Sequence, residues 1–322
     1  MTFVFLALLV WRIDVSATGR ALGDAVLGWL LLAAFATSLQ VVMSVFKWEI
    51  LIRSLGLRAS IRALTAYYLA GVSVSALLPG SVGGDVLRWR MLTRHWGRSV
   101  EAAATILGER GIGIVVMILS AFAAVLIEPR LATLPVLSLL LGLGLAIGLG
   151  ITLPLNRRLA AGLAYRTRRS FIRHILRPLY RLHRALRRFG PSAVLGSSVY
   201  ALLFYLAGAL AYFCVLRSLG TDLGYREAFA AQILRNVLLL LPISIGGLGL
   251  VQAGDVYVLG RLGVDPATAL AVSVIRHLLH YLWAFVGGGL LWAWSPVGEA
   301  APTDADESPG RLRSTLPGGP SP

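Results

Sequence analysis

Apolar stretches of about 20 residues recur along this 322-residue chain, and their length constrains the fold more than any other feature. A helix rises about 1.5 Å per residue, so about 20 residues cross a hydrocarbon layer of about 30 Å. Backbone polar groups cannot stay unpaired in lipid, and the stretches lack the alternation of barrel strands. The sequence therefore predicts an all-α integral membrane protein.

Composition and charge placement agree with this class. Hydrophobic residues make up 57% of the chain and charged residues 14%, whereas soluble domains carry about one-quarter charged residues. The net charge of +15 comes almost wholly from arginine, with Lys47 the only lysine. The arginines crowd between the apolar stretches, as the positive-inside rule describes. We therefore expect membrane lipids as partners and no nucleic acid.

We predict about six full transmembrane helices. The clearest spans cover residues 25–46, 99–127, 131–153, 191–216 and 266–294, whereas the apolar start at residues 1–11 is too short for a full crossing. The N-terminus lacks the basic region and cleavage site of a signal peptide, so we expect it to be retained. The single cysteine, Cys214, lies within a span and predicts no disulfide.

Basic segments predict the orientation. Residues 154–190 contain 11 arginines and no acidic residue, which indicates a cytoplasmic loop and, by counting spans, cytoplasmic N- and C-termini in the cell (plasma or inner) membrane. Part of this loop is amphipathic, so it either binds anionic lipid head groups at the surface or only sets the topology. Residues 296–322 are rich in proline and small polar residues, which predicts a disordered cytoplasmic tail.

One motif occurs twice, about 160 residues apart: PGSVGG begins at Pro79 and PISIGG begins at Pro242, each after two leucines. Each copy interrupts an apolar stretch, which predicts two broken or re-entrant hairpins. We expect one transmembrane domain, residues 1–295, with repeat one at about 25–127 and repeat two at about 191–294. The predicted topology orients the copies oppositely, an architecture typical of alternating-access transporters.

The motif residues suggest gates. Proline ends a helix, and paired glycines let the backbone reverse and expose its N–H groups. The alternative is that these residues only let helices kink and pack closely. We favour gating because the pattern is repeated, and assign it to Pro79, Gly83, Gly84, Pro242, Gly246, Gly247 and Gly249.

Two arginines, Arg110 and Arg276, lie about 15 Å into their spans, near the middle of the bilayer. A charge at that depth must face protein, water or a counter-ion. The expected counter-ions are Asp85, Glu109, Asp255 or a lipid phosphate, and structural ion pairing is the alternative to substrate binding. The histidines His277 and His280 lack a fixed third ligand, so we expect helix-to-helix hydrogen bonds, with Glu109 nearby, and no metal.

Two segments, LLPGSVGGDVLRWRML and LLPISIGGLGLVQAG, resemble the signature regions of the flippase-like family formed by the transmembrane region of lysylphosphatidylglycerol synthase and its stand-alone relatives. The resemblance extends to about Trp294. It assigns Gly83, Gly84, Asp85 and Arg88 to the first motif, and Pro242, Gly246, Gly247 and Gly249 to the second. The family commonly has a glutamate where this chain has Gln252, so a coupling role there would pass to Asp255.

The resemblance implies a lipid translocator without the synthase's soluble aminoacyl-transfer domain. We expect it to move a polar-headed lipid, such as an aminoacylated phospholipid or a polyprenyl-phosphate-linked sugar, between leaflets. The head group would contact Arg110, Arg276, Asp85, Arg88 and Glu109. The alternatives are a non-catalytic anchor or regulator of a membrane-bound glycosyltransferase or lipid synthase, and a membrane-embedded lipid enzyme. No nucleotide, dinucleotide or nucleophile motif is present, so we expect no cofactor and no enzymatic activity.

Overall fold

A computed structural model describes residues 15–78, 82–133, 181–182, 184–240 and 246–293, together with residues 138, 142 and 144. Within that part of the chain the regular structure is helical, apart from turns. A short 3-10 turn, Pro129–Leu131, follows the fifth helix. The α-helices are α1 (Val15–Gly23), α2 (Leu27–Ser54), α3 (Ile61–Leu77), α4 (Val82–Trp96), α5 (Ser99–Ile127), α6 (Pro191–Ser218), α7 (Tyr225–Leu239), α8 (Leu250–Arg261) and α9 (Pro266–Ala293).

Four of the described helices are long and apolar enough to cross a membrane: α2, α5, α6 and α9. Each has 28 or 29 residues and so extends about 42 Å, more than the hydrocarbon thickness. The prediction of an all-α membrane protein is confirmed. The predicted total of six spans stays a prediction, and the proposed span 131–153 falls largely outside the described residues.

Several other predicted segments also lie outside the described residues. These are the short apolar start, most of the basic loop, the tail after residue 295, and the motif prolines Pro79 and Pro242. The end of the basic loop is described, and it packs into the protein: Ala185 is buried, and Leu182, Leu186 and Phe189 contact the apolar core beside it. In this part of the loop the apolar side chains therefore face other helices.

The eight helices after α1 form two series with matching lengths. A 28-residue helix, two shorter helices and a helix of 29 residues (α2 to α5) are followed by helices of 28, 15, 12 and 28 residues (α6 to α9). The packing is reciprocal. The first helices of the two series pack together, and the second helix of each series packs on the fourth helix of the other.

The two first helices, α2 and α6, run antiparallel along their full length. At one end the Val26 N–H donates to the Ser218 carbonyl oxygen at 2.9 Å, and at the other end Ile50 lies against Gly196. Between them Gln40 Nε2 donates to the Phe204 carbonyl oxygen at 3.3 Å. The first helices of the two series therefore point in opposite directions.

A close backbone contact joins α3 to α9. A Cβ built on Gly287 would lie 2.1 Å from the Leu69 carbonyl oxygen, so only glycine fits there. Ser73, one turn along α3, donates its hydroxyl to the Ala284 carbonyl oxygen. Small residues permit this approach, as is common between transmembrane helices.

The short helices of each series form an antiparallel hairpin, but the two breaks differ in backbone conformation. Gly246, Gly247 and Gly249 have φ angles of 55°, 80° and 82°, which glycine adopts readily. Gly83 and Gly84 instead lie in the first turn of α4 and do not reverse the chain. The expectation that both glycine pairs reverse the backbone is thus wrong for the first copy. There Gly84 provides space, because an added Cβ would lie 2.1 Å from the Gly71 carbonyl oxygen.

The first span is also longer than expected. The span predicted from the sequence ends at residue 46, just before Lys47, but α2 continues to Ser54 and Lys47 is 8% exposed. The helix can continue because Glu109 of α5 pairs with the Lys47 ammonium group at 3.0 Å. An opposite charge on a neighbouring helix therefore compensates a lysine that composition alone places at the surface.

Beyond the end of α5, a set of ion pairs connects this helix to the start of α7. Glu128 is 2% exposed, accepts hydrogen bonds from Arg130 at 2.5 and 3.1 Å, and pairs with Arg226 at 3.5 Å. Arg130 also reaches Glu227 at 3.5 Å. The hydrogen bonds from Arg130 lower the pKa of the Glu128 carboxyl below its usual 4.5.

Replacing Gly84 with alanine is expected to destabilise the protein by about 1–3 kcal/mol, because the new methyl group overlaps α3. Gly111→Ala is the matched control, since nothing lies within 4 Å of its Cβ position and alanine favours a helix. Thermal unfolding in detergent measures both. Equal melting temperatures for the two variants would contradict the close contact.

The Glu128 pairing predicts a pH dependence. A carboxyl group whose pKa is lower in the folded state stabilises the protein above its unfolded pKa, and that stabilisation is lost as pH falls through the folded value. The melting temperature of the wild type should therefore exceed that of Glu128→Gln at neutral pH, and the gap should narrow below about pH 4.5. The exposed Asp24→Asn is the control. A gap that stays constant into acid would contradict the pairing.

Candidate functional site

Five charged side chains from α2, α4 and α5 form what we call the first charge network: Lys47, Asp85, Arg88, Glu109 and Arg110. Four of these side chains come together because Asp85 and Arg88 lie one turn apart on α4, and Glu109 and Arg110 are adjacent on α5. The close packing of α4 on α3 at Gly84 positions α4 for these contacts.

The charges of the first network alternate in sign. Glu109 accepts from Lys47 at 3.0 Å and from Arg88 Nη2 at 2.6 Å. Arg88 also reaches Asp85 Oδ1 at 3.4 Å, and Arg110 holds the same carboxylate with two hydrogen bonds, at 2.8 and 3.0 Å. Three cations thus face two carboxylates, which leaves one net positive charge.

Exposure rises along this network. The side chains of Arg88 and Glu109 are 4% and 5% exposed, Asp85 is 20% exposed and Arg110 is 39% exposed. The Arg88 guanidinium lies 3.9 Å from the centre of the Trp48 ring, and such a contact stabilises a buried cation. Arg88 is therefore held in place, whereas Arg110 is the member that a molecule from outside can reach.

The second charge network lies between α6, α7, α8 and α9 and centres on Asp255. This carboxylate forms an ion pair with Arg235, accepts from Ser273 Oγ at 2.5 Å and accepts from Tyr212 OH at 3.2 Å. Arg235 Nη1 also lies 3.1 Å from Ser273 Oγ. Asp255 is therefore fully engaged by groups from three helices.

His277 connects this centre to the break between α7 and α8. Its Nδ1 lies 2.9 Å from Arg235 Nη2, and a guanidinium only donates, so Nδ1 accepts. The other ring nitrogen, Nε2, then carries the proton and donates to the Gly246 carbonyl oxygen at 3.2 Å. The hydrogen bonds fit a neutral imidazole that holds the glycine turn.

Gln252 also stabilises the turn between α7 and α8. Its Oε1 accepts from the Gly249 N–H at 2.7 Å, and its Nε2 lies 3.2 Å from His277 Nδ1. The Gln252 side chain therefore closes the first turn of α8 and supports His277.

Arg276 belongs to the second network but differs from the other arginines there. Among the described residues its partners are neutral: Thr37 Oγ1 and Gln232 Oε1, both at 3.3 Å. Arg276 is 7% exposed. With His277 neutral, Arg235 and Arg276 face only Asp255, so this network also carries one net positive charge.

The structure groups the expected site residues differently from the sequence interpretation. It brings Asp85, Arg88, Glu109 and Arg110 together, and it places Arg276 in the other network. Asp255, expected as one of the counter-ions for Arg110 or Arg276, pairs with Arg235 instead, because Arg235 enters from the neighbouring helix of the same hairpin. Arg110 and Arg276 therefore lie in separate networks.

Two charged network members escaped the sequence interpretation, Lys47 and Arg235. Arg235 lies inside an apolar stretch, and a charge there is a usable signal. Lys47 gave no such signal because it stands near other basic residues. Glu109 contacts neither histidine in any described hydrogen bond or ion pair, contrary to the expectation that it lies near them. No three His, Cys, Asp or Glu side chains converge in the part of the chain described.

These features define a class of protein: a helical integral membrane protein with two packed hairpins and a charge network inside each series. Residues 1–288 match the family described as the lysylphosphatidylglycerol synthase TM region, and the chain belongs to this family. Membership indicates a membrane lipid-related role and confirms the resemblance seen in the motifs. A search of curated proteins found no match.

Glu109→Gln is expected to destabilise the protein by about 3–5 kcal/mol, because it leaves the buried cations Lys47 and Arg88 without the carboxylate that they share. Removing one of those cations should restore part of the loss, so Lys47→Met with Glu109→Gln should be more stable than Glu109→Gln alone. Unfolding in detergent measures both. A single variant as stable as the wild type would show that Glu109 is not needed to balance these charges.

Proposed function

We propose that this protein translocates a polar-headed lipid between the leaflets of the cell membrane. The substrate class is an aminoacylated phospholipid or a polyprenyl-phosphate-linked sugar, and the action is transport without chemical change. We further propose that the protein lies in the plasma or inner membrane with both termini cytoplasmic.

One observation carries the proposal: in each series a charge network with one net positive charge joins residues of the candidate spans to residues of the short helices. Charges inside a membrane are costly and mark substrate or ion pathways. The phosphate shared by both substrate classes is anionic, and two arginine-containing networks offer it successive positions. The acyl or prenyl chains would remain in the surrounding lipid.

The first network is the proposed entry point, because Arg110 is its most exposed cation and its guanidinium already binds a carboxylate with two hydrogen bonds. A phosphate presents the same pair of acceptor oxygens to an arginine. In this proposal the lipid phosphate replaces Asp85 at Arg110, while Arg88 and Glu109 hold the helices together.

The packing supports an inverted repeat. Counterpart helices α2 and α6 are antiparallel, and the second helix of each series contacts the fourth of the other. In transporters with this arrangement, one repeat rocks against the other around a central site. We propose that the two hairpins gate opposite faces, with Gly246, Gly247 and Gly249 at one break and Pro79, Gly83 and Gly84 at the other. Of the two coupling candidates, only Asp255 can bind a proton, because the Gln252 amide does not titrate.

Reconstitution tests this proposal. Liposomes carrying fluorescent phosphatidylglycerol or its lysyl derivative in both leaflets are treated with dithionite, which bleaches only the outer leaflet. We expect wild-type protein to give bleaching beyond the outer half. Arg110→Ala should slow it about tenfold or more, since hydrogen bonds to charged groups contribute about 1.5–3 kcal/mol.

The control is Arg217→Ala, because Arg217 lies at the end of α6 and pairs with the fully exposed Asp222. It should translocate at the wild-type rate. Bleaching no greater than in empty liposomes, with folded wild-type protein and both lipids, would overturn translocation and favour an anchoring or regulatory role.

A further inference from the structure

A short chain of polar side chains runs from α9 to α7 inside the second network: Arg276, Gln232 and Asn236. Arg276 Nη2 donates to Gln232 Oε1 at 3.3 Å, and Gln232 Nε2 donates to Asn236 Oδ1 at 3.2 Å. The direction of both bonds follows from Arg276. A guanidinium only donates, so the Gln232 oxygen must face it, and the amide of Gln232 must then face the Asn236 oxygen.

Each end of this row of polar side chains has a hydrogen-bond donor without an acceptor. Arg276 Nε and Asn236 Nδ2 are buried and have no hydrogen-bond partner among the described residues. Buried polar groups are nearly always satisfied, so each such atom points to a missing partner. Here both missing partners are acceptors, and Gln232 contacts both residues that lack them.

Positive charge is also in excess beside Arg276. The other arginines of the two networks each contact a carboxylate, at 2.6 Å for Arg88 and 2.8 Å for Arg110. Among the residues that the structure describes, Arg276 contacts only neutral oxygens at 3.3 Å, beyond the usual range for a charged donor. The acidic residues outside the described part lie only in the terminal segments 1–14 and 294–322.

We infer that Arg276, Asn236, Gln232 and Thr37 form an anion-binding site. Its ligand is a monovalent anion that accepts hydrogen bonds from Arg276 Nε and Asn236 Nδ2. The lipid phosphodiester and a small inorganic anion share this chemistry. The inference rests on the proposed function for its choice of the lipid phosphate as the physiological source.

The site joins residues of three helices, one of them in the second hairpin. Thr37 lies on α2, Arg276 on α9 and Asn236 on α7, one turn before the break that contains Gly246. An anion held by Arg276 and Asn236 joins the hairpin to two long helices. Ligand binding therefore favours one position of the hairpin relative to the bundle.

The test measures ligand-induced stabilisation of purified full-length protein in detergent, because a ligand that binds only the folded state raises the melting temperature. The probes are dioleoylphosphatidylglycerol, dioleoylglycerol as its phosphate-free counterpart, sodium phosphate, and sodium chloride against sodium gluconate. We expect the phosphatidylglycerol to raise the melting temperature and dioleoylglycerol not to. A shift with phosphate or chloride alone assigns the same site to a small anion.

The variants identify the site. Arg276→Gln removes the charge and should weaken anion binding at least tenfold, while its ligand-free melting temperature stays at or above that of the wild type because a poorly compensated buried charge is gone. Asn236→Leu keeps the charge and should weaken binding less. Arg217→Gln should bind as the wild type does.

No anion-dependent shift in the wild type, or a full shift in Arg276→Gln, would overturn the inference. Binding and translocation can also fail separately. Arg276-dependent binding without lipid translocation would contradict the proposed function alone, and translocation by a protein that shows no Arg276-dependent binding would contradict the anion site alone.

Discussion

The carboxylate of Glu109 is the interaction on which the first half of the molecule depends. It lies in the span α5 and is shared between Lys47 of α2 and Arg88 of α4, so one buried anion holds three helices by charge. In lipid the hydrophobic effect does not draw helices together, because the lipid chains are as apolar as the helix faces. Buried charge provides the specific contact, and it is tolerated only because each cation has a partner.

In the second series, different residues form the buried charge contacts. Glu109 is the eleventh residue of α5, counting from Ser99, and Arg276 is the eleventh of α9, counting from Pro266. Equivalent positions of the two series thus carry opposite charges. The third helix of each series also carries a carboxylate, Asp85 on α4 and Asp255 on α8. The two series share helix order and contacts, whereas their charges correspond only in part.

Much of the architecture could be predicted from the sequence. The long apolar stretches predict spans because their length matches the bilayer, and the repeated proline–glycine motif correctly marks the two places where short helices meet. Arg110 of the first network follows from its depth in a span, since a charged residue there needs a partner, and Asp85 and Glu109 follow as its candidate counter-ions. The partners of Asp255 could not be predicted, because Arg235 and Arg276 are both intramembrane cations and only the packing of α7 decides between them.

The same limit applies to Gly84 and Lys47. One motif pattern serves two backbone conformations, because close packing and a left-handed turn both require glycine, and the pattern does not distinguish them. Lys47 follows an apolar stretch and precedes other basic residues, so its local sequence is that of a membrane boundary. Its inclusion in the span depends on Glu109, which is 62 residues away in the sequence.

The contact at Gly287 has a consequence for movement. Where a glycine lets one helix rest directly on the carbonyl oxygens of another, no flexible side chain remains between them to absorb sliding. The hairpin helix α3 and the long helix α9 should then move as one rigid unit, although they belong to different series. Arg276 lies on α9, so a displacement of the first hairpin also moves the charge network of the second series.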